Sequence, residues 1–245
     1  MKEISTYEKG KKYTTNLRNR KMKEMGNGKW KLEIIKMFNE IIPLLSKKKD
    51  NLKPIATFGT LLGLIRDKDV ICKDDDIDIM IDIKYFKKVL EIISNYQSDT
   101  YVFFKSKGYG IIFPTTITVI NKKKLINIDI DFYSTIGKYV YRHVNEIFTR
   151  YTYGYSNIYL KSDIFPLKRK KILDSYLYVP NNANKILTHE YGENWKIPYF
   201  VCETNEKNPC LRCKKNPKYV PIRKGDKTKM TNKLKTNKKK TKKKK

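Results

Sequence analysis

Five carboxylates crowd into nine residues of an otherwise basic chain: Asp74, Asp75, Asp76, Asp78 and Asp82. Like charges this close repel one another, and they raise each other's pKa unless positive charge compensates them. The nearby ligands are all oxygens, with neither His nor a cluster of Cys among them, so the set favours Mg²⁺ or Mn²⁺ over Zn²⁺. The spacing therefore predicts a divalent-cation site that includes Asp76 and Asp78.

The residues between these aspartates indicate the element that carries them. Isoleucines alternate with the acidic positions over 76–83, which is typical of a strand with one apolar and one polar face. The segment 126–132 repeats the pattern and places Asp129 and Asp131 on its polar face. A solvent-exposed acidic turn is the alternative, but the interleaved isoleucines in two segments argue against it. Adjacent strands of this kind would give the carboxylate geometry that metal-dependent phosphoryl transfer needs.

A second candidate lies about fifteen residues upstream, where the predicted strand 54–58 meets a predicted short helix over 61–66. Gly59 and Thr60 fall at this turn, and backbone N–H groups with a hydroxyl at a helix start can bind phosphate. Arg66 ends the helix. Its guanidinium could bind a phosphate with two hydrogen bonds, or could pair with Asp67 or Asp69.

These motifs together resemble the LicD/fukutin family of the nucleotidyltransferase (polymerase-β-like) superfamily. The resemblance is carried by the string 59–66, GTLLGLIR, followed by 74–79, DDDIDI. A downstream element is similar as well, and comprises Phe165-Pro-Leu, Val179-Pro180, Tyr191-Gly192 and Trp195. The resemblance covers roughly residues 30–198.

The resemblance implies a nucleotidyltransferase-like fold and a phosphotransferase reaction. A phosphocholine, ribitol phosphate or similar group would move from a CDP-linked donor to a glycan hydroxyl. The donor phosphate would be bound by Gly59, Thr60 and Arg66. Mg²⁺ or Mn²⁺ would be bound by Asp76 and Asp78, which are also catalytic in this scheme.

The third carboxylate is best matched by Asp129, as a metal ligand or as the base for the attacking hydroxyl. Asp131 is a close rival for the same position and is a further candidate ligand. The donor substituent also stays open, because tyrosines over 133–159 could surround choline while Asn, Lys and Tyr side chains could bind a polyol.

Periodicity predicts the rest of the fold. Apolar residues at helical spacing indicate helices over 30–45, 84–96 and 183–191, with Pro43 kinking or ending the first and Asn181 or Asn182 capping the last. Further strands are expected near 101–105, 110–113 and 116–121, and at 163–167 and 175–180 around a basic turn. The fold class is α/β (α+β), a mixed sheet flanked by helices.

The charge is unevenly distributed. The chain of 245 residues has a formal net charge of +29, and residues 214–245 hold sixteen Lys and Arg against one acid. This composition predicts a disordered tail that could bind nucleic acid or another polyanion. The expected organisation is a basic arm over 1–28, the LicD-like domain over 29–200, a Cys-containing segment over 201–213 and the tail over 214–245.

The remaining features concern location and zinc. The longest apolar runs are too short for a membrane span, and the first residues lack the apolar stretch of a signal peptide, so we expect a cytoplasmic protein. Structural zinc on Cys202, Cys210, Cys213 and His189 is a minor alternative to free thiols.

Two other functions remain open from the sequence. One is a nucleotidyltransferase that acts on nucleic acid or protein and uses the basic segments to bind it. The other is a non-catalytic polyanion-binding protein on this scaffold, against which the intact Gly-Thr and Asp-x-Asp positions argue.

Overall fold

The computed structural model describes residues 1–3, 29–47, 50–71, 74, 76–107, 114–124, 126–143, 157–172 and 175–197. The chain divides into two compact units, residues 1–196 and residues 197–245. Nearly all described residues belong to the first unit. Most of the predicted N-terminal arm, the whole Cys-containing segment and the Lys-rich tail lie outside the described residues.

A mixed sheet of ten strands, counted over the described residues, forms the centre of the first unit. Along the sheet the order is β1-β4-β5-β6-β3-β2-β10-β9, while β7 pairs with β6 and β8. The strands are β1 (Lys2–Glu3), β2 (Ile55–Ala56), β3 (Asp76–Asp82), β4 (Tyr101–Lys107), β5 (Pro114–Asn121), β6 (Asn127–Ile136), β7 (Tyr139–Arg142), β8 (Ile158–Leu160), β9 (Lys168–Ile172) and β10 (Ser175–Val179).

Helices flank this sheet, which confirms the predicted fold class. They are α1 (Lys29–Leu45), α2 (Phe58–Leu62), α3 (Phe86–Asn95), α4 (Lys161–Ile164) and α5 (Ala183–Tyr191). A π-helix, Gly63–Asp67, continues α2, and a 3₁₀ turn, Ile83–Tyr85, precedes α3. Pro43 lies inside the last turn of α1, which ends at Leu45. Among the described helices, none combines the length and apolar character that crossing a membrane requires.

The apolar face of β3 and β6 forms the core and fixes the opposite face for the aspartates. Ile77, Ile79 and Ile81 of β3 are at most 1% exposed, and Ile128 and Ile130 of β6 are fully buried. Helix α1 packs against β3, β10 and α3 through residues at helical spacing. The buried side chains of this helix face are Ile34, Met37, Phe38, Ile41, Ile42 and Leu45. Because side chains alternate along a strand, burying the isoleucines leaves Asp76 and Asp78 on the other face.

The strand predicted at 163–167 is wrong. Residues 161–164 form α4, and the basic run that was expected to be a turn forms strand β9 instead. β9 pairs with β10 alone, and it is an edge strand whose Lys168, Arg169 and Lys171 are exposed. Charged edge strands are common because lysine and arginine discourage pairing with other chains. The run is therefore compatible with a strand despite its low apolar content.

Candidate metal centre

The register of β3 and β6 brings three aspartates together. The two strands are adjacent and parallel, and Asp78 lies opposite Asp129. One carboxylate oxygen from each of Asp76, Asp78 and Asp129 lies within 4.8 Å of the others. All three side chains are partly exposed, so a cation could reach them. Three of the four predicted metal ligands therefore form one group.

The electrostatics of this group suit a divalent cation. The pKa of Asp78 is raised well above its usual value, first by burial and then by the carboxylates of Asp76, Asp129, Asp74 and Asp131. Such mutual repulsion is relieved by positive charge. The donor atoms are carboxylate oxygens, which Mg²⁺ and Mn²⁺ prefer to the softer ligands of zinc. The residues present fit a hard divalent cation.

Residues 57–60, which comprise the N-cap and first helical turn of α2 and are called here the turn after β2, hold Asp78 at both of its backbone groups. The N–H of Asp78 donates to the hydroxyl of Thr60 at 2.9 Å, and the N–H of Thr57 donates to the carbonyl of Asp78 at 3.1 Å. Thr60 is only 3% exposed. Its hydroxyl thus has a structural partner within the site, in addition to the donor-phosphate role predicted from the sequence.

Gly59 lies close to another of the acidic residues. A Cβ placed on Gly59 would be 2.8 Å from Oδ2 of Asp74, which is closer than real Cβ atoms come. The absence of a side chain therefore allows the Asp74 carboxylate to pack against this turn. The preceding residue, Phe58, has a φ of 45°, a left-handed conformation that is uncommon outside glycine.

Arg66 takes the second of the two arrangements expected from the sequence. Its Nε donates to Oδ1 of Asp67 at 3.2 Å, and its Nη2 donates to Oδ2 of Asp67 at 2.9 Å. Both side chains are mostly buried, with 12% of each exposed. Asp69 instead pairs with Lys31. Arg66 as a donor-phosphate ligand stays a prediction, and that role would require the guanidinium to share or leave Asp67.

Asp131 lies two residue pairs further along β3 and β6 than Asp129, opposite Met80. It is 5% exposed and accepts a hydrogen bond of 2.7 Å from the Thr116 hydroxyl. Burial raises the pKa of Asp131 to about 6, while Arg142 and the Thr116 hydroxyl act in the opposite direction. Asp131 is thus beside the group of three and not one of its members.

A buried ionic cluster, which sequence reasoning missed, contains Arg142, the residue whose positive charge acts to lower the pKa of Asp131. The side chains of Arg142 and Glu190 are 0% and 1% exposed, and Arg142 Nη2 lies 3.5 Å from Glu190 Oε1. Nη2 also donates to Asn157 Oδ1 at 2.9 Å. Glu190 accepts a second hydrogen bond, of 2.6 Å, from the hydroxyl of Tyr159. We refer to Arg142, Asn157, Tyr159 and Glu190 as the arginine cluster.

The arginine cluster contacts the turn of the metal centre. The guanidinium carbon of Arg142 lies 3.6 Å from the centre of the Phe58 ring, a cation–π distance. Phe58 directly precedes Gly59. Helix α5, through Glu190, is thereby linked to the turn that holds Asp78. A sequence signal was present, because alternation in β7 places Arg142 on the same face as buried Val140.

The two histidines lie outside the group of three aspartates. His143 Nε2 is 3.0 Å from the Ser134 hydroxyl, and burial lowers its pKa. The His189 ring packs edge-on against Tyr159. Because the three cysteines predicted as its partners lie outside the described residues, the zinc alternative stays a prediction.

Comparison with known proteins adds two findings. A family model described as "LicD/FKTN/FKRP, nucleotidyltransferase domain" matches residues 51–182, just over half of the chain. An uncharacterized protein of Rickettsia prowazekii (strain Madrid E) is 25% identical over 169 residues. That match covers 68% of this chain and 57% of the relative, so the chain spans little more than half of the relative's length. The family match contains all three aspartates of the group and the turn over 57–60.

Proposed function

The chain belongs to the LicD/FKTN/FKRP nucleotidyltransferase-domain family, and we propose that it is a transferase dependent on Mg²⁺ or Mn²⁺. It would move phosphocholine, ribitol phosphate or a similar group from a CDP-linked donor to a glycan hydroxyl. One observation carries the proposal: Asp76, Asp78 and Asp129 converge within the region that the family matches. Membership of the polymerase-β-like nucleotidyltransferase superfamily, which the family resemblance implies, is part of the same proposal.

In this proposal the three aspartates hold the cation and thereby position the donor phosphate. A divalent cation bound there would neutralise phosphate charge and stabilise the charge that develops during transfer. The rigid sheet fixes the relative positions of the carboxylates, because Asp78 and Asp129 are register partners on adjacent strands. The Thr60 hydroxyl and the Thr57 N–H hold Asp78 in place through its backbone.

We assign Asp129, and not Asp131, as the third carboxylate. Asp129 shares the 4.8 Å group with Asp76 and Asp78. Asp131 is almost fully buried, is hydrogen-bonded to Thr116 and has Arg142 as a neighbouring positive charge. These contacts give Asp131 a charge partner within the protein, whereas Asp129 faces the other two ligands.

The turn over 57–60 is the proposed position of the donor phosphate, as the family resemblance implies. The Asp74 carboxylate packs against Gly59 and adds negative charge to this turn. A phosphate is therefore expected to bind there only together with the divalent cation. The contacts leave phosphocholine and ribitol phosphate both open as the transferred group.

The reaction conserves atoms and charge as follows. The oxygen of an acceptor hydroxyl forms a bond to the donor's substituent-bearing phosphorus. The bond between that phosphorus and the bridging oxygen breaks, and CMP leaves with this oxygen. The hydroxyl proton passes to a carboxylate at the site, for which Asp129 is the candidate, and then to water.

The test is release of CMP from defined donors. The purified chain is incubated with CDP-choline or CDP-ribitol, a panel of glycan acceptors and Mg²⁺ or Mn²⁺. We expect CMP release that needs the metal and an acceptor, and that is lost in Asp78→Asn. Lys171→Gln is the matched control, because Lys171 is exposed on the edge strand β9 and should not affect the rate.

The same assay, run in parallel with each nucleoside triphosphate, addresses the other catalytic function. Metal-dependent pyrophosphate release with nucleotide incorporated into a polymer would contradict the proposal and favour a nucleotidyltransferase. Polyanion binding with neither product would favour the non-catalytic protein. Each outcome has its own readout.

A further inference from the structure

We propose that Thr118 is a positioning residue that fixes the carboxylate of Asp129 for the cation. This inference rests on the proposed function and deepens it, because it concerns the same site. Thr118 lies on β5, one strand beyond Asp129, and it belongs to none of the motifs that carry the family resemblance.

Thr118 lies beside Asp129 in the sheet, on the side away from Asp78. The two residues are register partners in the antiparallel pair β5–β6, and Asp129 is in turn the partner of Asp78. Cross-strand partners project from the same face of a sheet. Asp78, Asp129 and Thr118 therefore form one row across three adjacent strands, with Asp129 in the middle.

Thr118 and Asp129 are joined by a hydrogen bond in which Thr118 is the donor. The Thr118 hydroxyl donates to Oδ1 of Asp129 at 2.7 Å, a short distance of the kind found when a hydroxyl meets a carboxylate. Thr118 is 7% exposed, so water competes little for its hydroxyl. Threonine has restricted rotamers because it branches at Cβ, and a strand restricts them further. The donor is thus preorganised.

The consequence for Asp129 is a single preferred orientation. A carboxylate has two oxygens and about four acceptor positions. Thr118 occupies one of these acceptor positions, so rotation of the Asp129 carboxylate about its Cβ–Cγ bond would break the hydrogen bond. The carboxylate of Asp129 is then held in one orientation relative to Asp76 and Asp78, with one oxygen of each residue within 4.8 Å of the others. Hydrogen bonds that orient ligating groups in this way commonly change metal affinity by about 10- to 100-fold when removed.

The neighbouring strand position offers an internal control. Thr116, two residues before Thr118, makes the same 2.7 Å hydrogen bond to Oδ1 of Asp131. The two threonines therefore make equivalent contacts to the two carboxylates that compete for the role of third ligand. Removing each hydroxyl in turn distinguishes Asp129 from Asp131 without changing a charge.

The experiment measures binding of Mn²⁺ alone, by electron paramagnetic resonance, to the full chain and to three variants. Thr118→Val removes the hydroxyl and keeps the shape, Thr118→Ser keeps the hydroxyl, and Thr116→Val is the control. We expect a loss of about 10-fold or more in Mn²⁺ affinity for Thr118→Val. The other two variants should stay within about threefold of the unmodified chain. Melting temperatures in EDTA verify that each variant is folded.

Each result is decisive. Unchanged Mn²⁺ affinity in folded Thr118→Val, with binding by the unmodified chain, overturns the positioning role and leaves the proposed function standing. An equal or larger loss in Thr116→Val also overturns it and assigns the third ligand to Asp131. Failure of the unmodified chain to bind Mn²⁺ contradicts the metal centre itself. Should Thr118→Val not fold, Thr118→Ser against Thr118→Ala repeats the comparison.

Discussion

The Thr60 hydroxyl accepts a hydrogen bond of 2.9 Å from the backbone N–H of Asp78, and this bond joins the turn after β2 to the metal-centre strand. The Asp78 N–H is part-buried, and the Thr60 hydroxyl is its acceptor. Both halves of the family motif, Gly-Thr and Asp-x-Asp, are therefore in direct contact. Thr60 and Asp78 are 18 positions apart in the sequence.

Thr60→Val should destabilise the fold because it removes this acceptor. A fully buried unsatisfied donor costs about 1–3 kcal/mol, and this part-buried N–H should cost no more than that. Thr60→Ser keeps the hydroxyl and should cost less. The free energy of unfolding, from urea titrations followed by circular dichroism, measures both. Equal stability of Thr60→Val and the unmodified chain would show that the bond contributes little.

The two glycines near the turn should differ in their tolerance of a methyl group. A Cβ on Gly63 would lie 2.5 Å from the backbone carbonyl of Asp69, which cannot easily move. A Cβ on Gly59 would instead meet the end of the Asp74 side chain, which can rotate. Gly63→Ala should therefore lower the melting temperature more than Gly59→Ala.

The double variant Gly59→Ala with Asp74→Ala separates the two effects. If contact with Asp74 is the source of the cost at Gly59, the double variant should recover the stability lost in Gly59→Ala. A further loss of melting temperature in the double variant would contradict this explanation.

Arg142 should be costly to replace alone and less costly to replace together with Glu190. Arg142→Met leaves the buried Glu190 carboxylate without its ion pair, which typically costs about 3–5 kcal/mol. Glu190→Gln in the same chain removes that charge and should recover part of the loss. Urea unfolding of the two single variants and the double variant gives the coupling. Strict additivity would show that the pair does not interact.

The pH dependence of stability should report Asp131 in the metal-free protein. Its pKa is about 6 in the folded chain against an ordinary value of 3.8. Between these values the folded state binds more protons than the unfolded state, so the free energy of unfolding falls as pH rises. Asp131→Asn cannot ionise and should remove about 3 kcal/mol of that fall.

Urea titrations in EDTA at pH 4, 5, 6 and 7 measure this effect. The raised pKa of Asp78 acts with the same sign, so the fall should persist in part in Asp131→Asn. A variant that shows the same slope as the unmodified chain would contradict the role of Asp131.

The parts of the fold with strong periodicity could be predicted from sequence. Alternating isoleucines identified β3 and β6, and helical spacing identified α1, because each pattern reflects one buried face. The Lys-rich strand β9 could not, since its stability comes from pairing with β10 and not from its own composition. Asn182 occupies the N-cap position of α5, as predicted, but its side chain makes no capping hydrogen bond and donates instead to Asp163.

The candidate site, like the fold, could be predicted from sequence only in part. Alternation along strands predicted that Asp76 and Asp78 share a face and that Asp129 or Asp131 could join them. The family resemblance favoured Asp129, which the structure groups with the other two. The hydroxyls of Thr116 and Thr118, the arginine cluster and the Arg66–Asp67 pair depend on which strands are neighbours. A single sequence gives little information on strand order, so these contacts needed the three-dimensional structure.

Mn²⁺ binding by the unmodified chain, Asp78→Asn and Asp131→Asn, with melting temperatures in EDTA, tests the metal centre. We expect the unmodified chain and Asp131→Asn to bind Mn²⁺, and Asp78→Asn to lose most of its affinity while melting at an equal or higher temperature. Removing a repelled carboxylate relieves charge in the metal-free site. Undiminished Mn²⁺ binding by folded Asp78→Asn would contradict a metal centre formed by Asp76, Asp78 and Asp129.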